Sequence, residues 1–318
     1  MAVKKNVFKF SRIFLLIILL IFYSFYNFSN ITCKASDANN LFVGGTGEKN
    51  YPEIQDAIDN STENDTVIVF AGIYNESIVV NKSINIIGLD QNNVIINAND
   101  SLYVFLIRSS YVNISGFTIQ GGKIGIFVSG PEFSFNNFSG NNISDNDEGI
   151  RLVNTSSNDI FNNIIQSHGD IGIVLYESCN NNISENLLVN NGKSVYLNKW
   201  SNDNIIHKNN LTENNLGISL EFSFNNSINE NYIGNNSCGI YLTNSKTNNV
   251  TDNYIEFNNE CGIFSSNSDD NLISSNNFFK NKQDIKFEAK PPEIKALGFE
   301  FLIFFVAIIF FICIKRYV

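Results

Sequence analysis

A repeat of 22 or 23 residues constrains this chain more than any other feature of its sequence. Four copies contain the pattern Gly-Ile-x-Leu, and an apolar residue stands two positions after the asparagine that marks each copy. A second polar column, asparagine in every copy except at His168, stands five positions after that asparagine. A fixed period of this length is the signature of a repeat protein, in which each unit packs mainly on its neighbours. The marker asparagines are Asn141, Asn163, Asn186, Asn209, Asn231, Asn253 and Asn276.

Each repeat holds three short apolar stretches that are separated by Asn, Gly, Ser or Asp. This pattern is typical of strands joined by tight turns, and no stretch of the repeats has the longer periodicity of a helix. We therefore predict an all-β fold, a right-handed single-stranded parallel β-helix with three short strands per coil and about ten coils. The marker asparagines would form a structural ladder at the turns, because stacked amides can hydrogen-bond from one coil to the next.

The chain before the regular repeats is predicted to begin the same β-helix. Short apolar stretches between Val67 and Val128 continue it with less regular spacing. Before them, residues 52–59 have the pattern of a short amphipathic helix, which would cover the open end of the β-helix. The expected organisation is a cap with the first coils at 39–103 and regular repeats at 104–288.

The two ends of the chain are predicted to lie outside this fold. Residues 1–38 have the basic start, apolar run and small residues of a secretory signal peptide, with an uncleaved signal anchor as the alternative. Residues 289–295 form a Pro-containing linker, and residues 296–318 an apolar segment with a basic end that would anchor the protein in a membrane. This segment resembles the C-terminal sorting signals of archaeal surface proteins, although Leu297 stands where those signals have proline. We therefore expect an extracellular, cell-surface, membrane-anchored protein.

Composition argues against several classes of function. The formal net charge is −10 with only 21 Lys and Arg, so the chain is poorly suited to bind nucleic acid. Two histidines and one methionine argue against a metal carrier, and we predict no metal and no cofactor. About one residue in six is asparagine, but 43% hydrophobic residues are too many for a disordered polar tract.

The region from Tyr51 to Gly88 resembles the amino-terminal part of NosD-like right-handed β-helix proteins. The resemblance rests on Tyr51-Pro52-Glu53-Ile54-Gln55-Asp56-Ala57-Ile58, on Gly72-Ile73-Tyr74-Asn75-Glu76 and on the Asn-x-Ile and Gly-Ile-x-Leu coils. It covers roughly residues 41–287 and implies the β-helix fold. It also implies a place within a wider class of surface carbohydrate-binding proteins and sugar hydrolases. The family name carries an association with copper, but His168 and His207 fall in different columns of the repeat.

Outward-facing aromatic residues are the candidate ligand-binding residues. In the Gly-Ile-x-Leu stretch the outward position is occupied by Tyr196, Tyr241 and Phe264, and Tyr232 and Tyr254 share another outward column. Aromatic side chains repeated at the strand spacing of about 4.8 Å offer a stripe on which a sugar chain could stack. The alternative is that aromatic residues simply suit exposed strands.

Acidic residues give a weaker catalytic hypothesis. Glu185, Glu230 and Asp252 share the column just before the marker asparagines, and Lys208 lies between the first two. Glu230 and Asp252 on adjacent coils would be about 5 Å apart, near the separation in retaining glycosidases. The alternative is a solvated column of charges that pair weakly across coils.

Two further chemical features follow from the repeat. Cys238 and Cys261 each precede the glycine of neighbouring coils, so we expect them to form a disulfide in the oxidised protein. Several Asn-x-Ser/Thr sequons occur, and outward Asn142 and Asn210 are the better candidates for glycosylation.

The sequence favours a binding or scaffolding protein over an enzyme. We expect a surface-anchored β-helix for carbohydrate binding, adhesion or envelope scaffolding, with the membrane, polysaccharide or envelope proteins as partners. The alternatives are a polysaccharide-degrading hydrolase or lyase, a periplasmic copper-binding accessory protein of the NosD type, and a passive spacer.

Overall fold

The computed structural model describes residues 38–288. The predicted linker, the C-terminal segment and all but the last residue of the predicted signal peptide lie outside the described residues. Within them are twenty-nine strands and one helix, and the strand pairings are parallel throughout. The structure confirms the predicted parallel β-helix and gives it eleven coils in place of about ten, because the first sheet contains eleven strands in chain order.

The first sheet takes one strand from every coil. Each strand pairs with the corresponding strand of the next coil, so sequence order equals spatial order. Its strands are β1 (Asn40–Val43), β2 (Thr66–Val69), β5 (Asn85–Gly88), β7 (Asn113–Ser115), β9 (Asn137–Ser139), β12 (Asp159–Phe161), β15 (Asn182–Ser184), β18 (Ile205–His207), β21 (Ser227–Asn229), β24 (Asn249–Thr251) and β27 (Leu272–Ser274).

The second sheet follows the first turn of each coil. Its short strands are β3 (Gly72–Tyr74), β10 (Asn142–Ser144), β13 (Ile164–Gln166), β16 (Leu187–Val189), β19 (Asn210–Thr212), β22 (Tyr232–Gly234), β25 (Tyr254–Glu256) and β28 (Asn277–Phe279).

The third sheet follows the second turn, and two long strands run through both the second and the third sheet. Those long strands are β6 (Val94–Ile107) and β8 (Thr118–Ser129). The other strands of the third sheet are β4 (Ile78–Val80), β11 (Glu148–Val153), β14 (Ile171–Tyr176), β17 (Lys193–Asn198), β20 (Leu216–Glu221), β23 (Cys238–Thr243), β26 (Cys261–Ser266) and β29 (Ile285–Glu288).

The interior of the coils is a continuous apolar core. From the second coil onward each coil contributes inward residues from three strands, and those in the middle of the regular repeats, such as Ile183, Leu188 and Leu197, have no exposed surface. Full burial of one such side chain contributes about 1.5–3 kcal/mol. A single coil has few of them, so stacking on both neighbours is what makes the fold stable.

Three asparagine ladders occupy the three turns of the coil. The marker asparagines lie in single file between the first and second strands, each donating its backbone N–H to the Oδ1 atom of the next. The second column, which includes His168, does the same at the second turn. A third ladder lies at the third turn, five residues before each marker, and our sequence analysis missed it although the spacing was regular. Its members are Asn136, Asn158, Asn181, Asn204, Asn226, Asn248 and Asn271.

The helix α1 (Ile54–Asn60) is held against the first coils at both of its ends. The carboxylate of Glu76 accepts hydrogen bonds from the backbone N–H groups of Ile54 and Gln55, each at 2.9 Å. At the other end, the Lys82 ammonium donates to the carbonyl oxygens of Ile58, Asp59 and Ser61. Both contacts satisfy unpaired groups of a helix terminus and match the sign of the helix dipole.

One serine occupies a position that favours glycine. If Gly217 in the third sheet carried a Cβ atom, that atom would lie only 2.4 Å from the carbonyl oxygen of Gly239. The preceding coil has Ser194 in that register, and its fully buried hydroxyl has no hydrogen-bond partner.

Replacing Ser194 with alanine is expected to raise the free energy of unfolding by about 1 kcal/mol, because it removes an unsatisfied buried hydroxyl. The matched control is Ser178→Ala, which removes an equally buried hydroxyl that donates to the Tyr176 carbonyl and accepts from the Thr155 N–H. Urea unfolding should show opposite signs for the two variants. Equal destabilisation would contradict this assignment of Ser194.

Candidate functional site

The outward face of the third sheet is a grid of three columns. Their registers are continuous from coil to coil, so each side chain lies beside its counterparts on the neighbouring coils. The left column is Glu148, Ile171, Lys193, Leu216, Cys238 and Cys261. The middle column is Arg151, Val174, Tyr196, Ser219, Tyr241, Phe264 and Lys286. The right column is Val153, Tyr176, Asn198, Glu221, Thr243, Ser266 and Glu288.

A pocket lies at the middle of this grid, where the small Ser219 is flanked in register by Tyr196 and Tyr241. Two coils separate these tyrosines, or about 10 Å, and the serine between them is only 4% exposed. The pocket has a volume of about 390 Å³, within the range of small-molecule sites. We call it the Ser219 pocket, and it is lined by Lys193, Leu216, Ser219, Leu220, Glu221, Tyr241 and Thr243.

Polar groups surround Tyr196 at one side of the pocket. Its phenol donates to a carboxylate oxygen of Glu221 on the next coil at 2.5 Å and accepts from the Asn198 amide at 2.7 Å. The Lys193 ammonium lies 3.8 Å from the centre of the ring. Burial and the bond to Glu221 raise the pKa of Tyr196 well above its ordinary value of 10. This phenol therefore stays protonated at neutral pH and is poorly placed to act as a general base.

Tyr241 forms the opposite side of the pocket. Its ring stacks on Phe264 with centroids 4.5 Å apart, so its other face is turned toward the coil of Ser219. Phe264 is only 8% exposed, whereas we had expected it to contribute to an exposed stripe. The difference arises because Tyr241 and the left-column cysteines cover the Phe264 ring. Phe264 supports Tyr241 from behind and does not itself face the pocket.

Thr243 adds a polar group to the same wall. Its hydroxyl oxygen is buried and has no hydrogen-bond partner. Lys193, Glu221 and Thr243 were not predicted, because the columns to either side of the aromatic column are not repetitive in sequence. The signal available in the sequence is position: Lys193 stands three residues before the aromatic column, and Glu221 and Thr243 stand two residues after it.

The second pair of predicted aromatics lies on the second sheet, away from the Ser219 pocket. Tyr232 and Tyr254 stack on adjacent coils with centroids 5.9 Å apart. The Tyr232 phenol donates to Glu256 at 2.6 Å, which raises the pKa of Tyr232 to about 12. Tyr254 is 40% exposed and Tyr232 is partly exposed, and neither lines the Ser219 pocket.

The acidic column lies on the surface of the first turn. Glu185, Glu230 and Asp252 lie in exposed first turns with positive φ, next to the first ladder. Lys208 lies between them, and its ammonium is 4.0 Å from the Glu230 carboxylate. An exposed pair at this distance is the solvated charge column that we considered as the alternative.

Cys238 and Cys261 are free thiols in the structure and are direct register partners on parallel strands. The strand spacing of about 4.8 Å lies within the range of Cα separations found in disulfides, so a bridge in the oxidised protein stays a prediction.

No metal site is formed by the described residues, since none of their His, Cys, Asp and Glu side chains cluster in threes. Both ring nitrogens of His168 are engaged by backbone groups of the preceding coil. His207 lies on the first sheet, in a different column. Within residues 38–288 there is also no helix long and apolar enough to cross a membrane.

The fold and the grid define a parallel β-helix repeat protein with one aromatic and polar pocket on its third sheet. The chain belongs to the family described as periplasmic copper-binding protein (NosD), which matches residues 58–220 and 167–295. Among residues 38–288 no group of three or more His, Cys, Asp or Glu side chains could hold a metal ion, and both ring nitrogens of His168 are engaged by backbone groups.

A cell surface glycoprotein of the archaeon Methanothermus fervidus is 37% identical over 97 residues. This match covers 30% of the chain and 15% of the relative, so the chain spans only a small part of that protein's length.

Solved structures with the same fold include several that act on polysaccharides. The A-module of a mannuronan C-5 epimerase from Azotobacter vinelandii has a TM-score of 0.55 at 13% identity, over 76% of this chain and 95% of the module. A lacto-N-biosidase from Eubacterium ramulus has a TM-score of 0.61 at 10% identity, over 79% and 68% of the two chains. The enzymatically active domain of a tailspike protein of bacteriophage CBA120 has a TM-score of 0.61 at 14% identity, over 80% and 46%. At these identities the likeness concerns the fold alone.

Proposed function

We propose that this protein binds a neutral carbohydrate chain outside the cytoplasm through the Ser219 pocket. The observation that carries the proposal is the Ser219 pocket itself, whose lining brings the ring of Tyr241 together with the polar side chains of Lys193, Glu221 and Thr243. A sugar ring has apolar C–H faces and a polar edge of hydroxyls. A pocket with one aromatic wall and a carboxylate, an ammonium and a hydroxyl beside it matches both.

Charge favours a neutral ligand over an acidic one. The chain has a net charge of −10, which repels a polyanion over the whole surface. Inside the pocket Lys193 is balanced by Glu221. The site therefore offers hydrogen bonds without an excess of positive charge.

The comparisons support this class of ligand and a location outside the cytoplasm. The family is described as periplasmic, and the relative from Methanothermus fervidus is a cell surface glycoprotein. The solved neighbours named above include two enzymes whose names specify saccharide substrates. Attachment to a membrane through residues 296–318 remains part of the proposal.

Binding is favoured over cleavage by the chemistry of the described residues. Tyr196 is held protonated, and the acidic column lies on exposed turns at a different part of the coil. Neither arrangement supplies the pair of opposed carboxylates that glycoside hydrolysis needs.

The test uses the purified full chain in native gels that contain linear mannan, laminarin or alginate. We expect a neutral glycan to retard the protein more than alginate does. Tyr241→Ala should weaken binding about tenfold, because it removes the stacking wall. Ser219→Phe should abolish binding by filling the pocket with a residue type that the middle column already accommodates. The matched control is Ile205→Ala, which changes an exposed apolar side chain on the first sheet.

Three outcomes would contradict the proposal. Binding that is lost in Tyr232→Ala with Tyr254→Ala but kept in Ser219→Phe would place the site on the second sheet. Release of reducing ends from the glycan would indicate an enzyme. Absence of retention on every glycan would leave the pocket without a carbohydrate ligand.

A further inference from the structure

Four exposed aromatic residues lie at one corner of the β-helix, in the turns that lead from the third sheet to the first. We call them the corner aromatics, and they are Tyr111, Phe135, Trp200 and Phe222. Their exposed fractions are 62%, 52%, 60% and 45%. The Ser219 pocket adjoins this corner, because Phe222 directly follows Glu221 in its wall.

All four corner aromatics adopt the left-handed backbone conformation, with φ between 48° and 62°. This conformation is unfavourable for bulky side chains and is normally taken by Gly, Asn or Asp. The column that begins with Tyr111 and Phe135 continues with smaller residues, namely Ser157, Asn180, Asp203, Asn225, Thr247 and Asp270. Of the five aromatic residues with positive φ in the described chain, only Phe257 lies at another corner. Strained positions of this kind concentrate at functional sites.

One pair of these rings forms a stacked platform, and the other pair lies on neighbouring coils. Tyr111 and Phe135 stack with centroids 5.2 Å apart and planes 7° from parallel. Trp200 and Phe222 lie on consecutive coils, linked by a 2.7 Å hydrogen bond from the Trp200 N–H to the Phe222 carbonyl. From Tyr111 to Phe222 the corner rises by five coils, or about 24 Å.

The spacing fits a chain-like ligand better than a protein partner. Polar turn residues, among them Asn154, Glu177 and Asn180, separate the two pairs of aromatic residues. A protein interface would bury one continuous apolar patch, whereas these two pairs lie at different heights along the axis and in different columns of the turn. Stacked rings alternating with polar residues suit a polymer that presents apolar ring faces and hydroxyls in turn.

We infer that an extended saccharide chain lies along this corner, parallel to the β-helix axis, from the Ser219 pocket to the platform of Tyr111 and Phe135. The inference rests on the proposed function and extends it, because it assigns a direction and a minimum length to the ligand. A disaccharide fills the pocket alone. A long chain also reaches the platform and gains affinity from the second contact.

The test replaces Tyr111 and Phe135 together with asparagine, the residue that this corner uses elsewhere at positive φ. In the full chain we expect linear mannan or laminarin to bind at least about tenfold more weakly to this variant. Affinity for mannobiose or laminaribiose should stay unchanged, and the urea midpoint should not fall. The matched control is Phe257→Asn, which removes an exposed aromatic residue of the same backbone conformation at a different corner.

Two results would overturn the inference and leave the proposed function standing. One is polysaccharide affinity within twofold of the unmodified protein while Ser219→Phe still abolishes binding. The other is an equal loss for the polysaccharide and the disaccharide, since the platform would then not act as a separate contact. If Ser219→Phe also leaves binding unchanged, the proposed function itself fails.

Discussion

Replacing Asn209 with alanine is expected to lower the free energy of unfolding by about 3–5 kcal/mol. The Asn209 amide nitrogen donates to the carbonyl oxygens of Ile183 and His207 and to Oδ1 of Asn231. Its Oδ1 atom accepts two bonds from Asn186, one from the backbone and one from the side chain. Alanine leaves these buried partners without hydrogen bonds, and the ladder is interrupted at its middle.

The matched control is Asn215→Ala, at an exposed asparagine on the same coil. The Asn215→Ala substitution should change the free energy of unfolding by less than about 0.5 kcal/mol. Urea unfolding followed by far-UV circular dichroism measures both variants. A repeat array can lose cooperativity when one coil is weakened, so a broadened transition in Asn209→Ala also agrees with this prediction. Equal midpoints for Asn209→Ala and Asn215→Ala would show that the ladder contributes little.

The stability of the protein is expected to fall in mild acid through His168, which takes the place of an asparagine in the second ladder. Its Nδ1 atom lies 3.4 Å from the backbone nitrogen and 3.1 Å from the carbonyl oxygen of Asn146, and its Nε2 atom lies 3.2 Å from the Ile143 carbonyl oxygen. The neutral tautomer with hydrogen on Nε2 accepts from the Asn146 N–H and so copies the amide of asparagine. Protonated Nδ1 would donate to the Asn146 carbonyl instead, and the charge would be buried.

Burial lowers the pKa of His168 below its ordinary value of 6.5, although hydrogen bonds to backbone groups and the nearby Asp145 act in the opposite direction. The unfolded chain therefore binds a proton more readily than the folded one. Stability from this residue is complete above pH 6.5 and is lost as the pH falls from 6.5 toward the folded pKa. The slope in that window approaches about 1.4 kcal/mol per pH unit.

The measurement compares the unmodified protein with His168→Asn, which restores the ladder residue. We expect this variant to be the more stable protein at pH 5 and to lose the slope. His207→Asn is the matched control and should keep the slope, because no ladder bond is made by the side chain of His207. Burial raises the pKa of Glu76 and Glu148, so their contribution to stability increases as the pH falls, opposite to that of His168. The difference in stability between the variants is therefore the informative quantity. An unchanged slope in His168→Asn would contradict the assignment.

Much of the fold could be predicted from the sequence because its cause is periodic. The marker asparagines and the apolar residues two positions later fixed the length of a coil and the side that faces the core. The third ladder was equally regular and was missed only because its asparagines precede the marker. The coil count was low by one because the early coils, with the long strands β6 and β8, depart from the regular spacing.

The candidate site was only partly predictable. Tyr196 and Tyr241 could be identified because they share a column. The depth of the Ser219 pocket depends on the orientation of the neighbouring side chains, which the sequence does not give. The bond from Tyr196 to Glu221 links two coils and two columns, and no sequence period records it. The same holds for Phe264, whose burial depends on its neighbours along the axis and not on its outward position.

The sequence by itself determined the coil, since a 22- or 23-residue period with inward Ile and Leu and amides at the turns can satisfy its core and backbone only by stacking. The tertiary structure alone decided which outward side chains meet. Stacking brings together residues that are more than 20 positions apart, and their contacts depend on side-chain direction and local crowding. These contacts give one face a pocket and one corner the stacked rings of Tyr111 and Phe135.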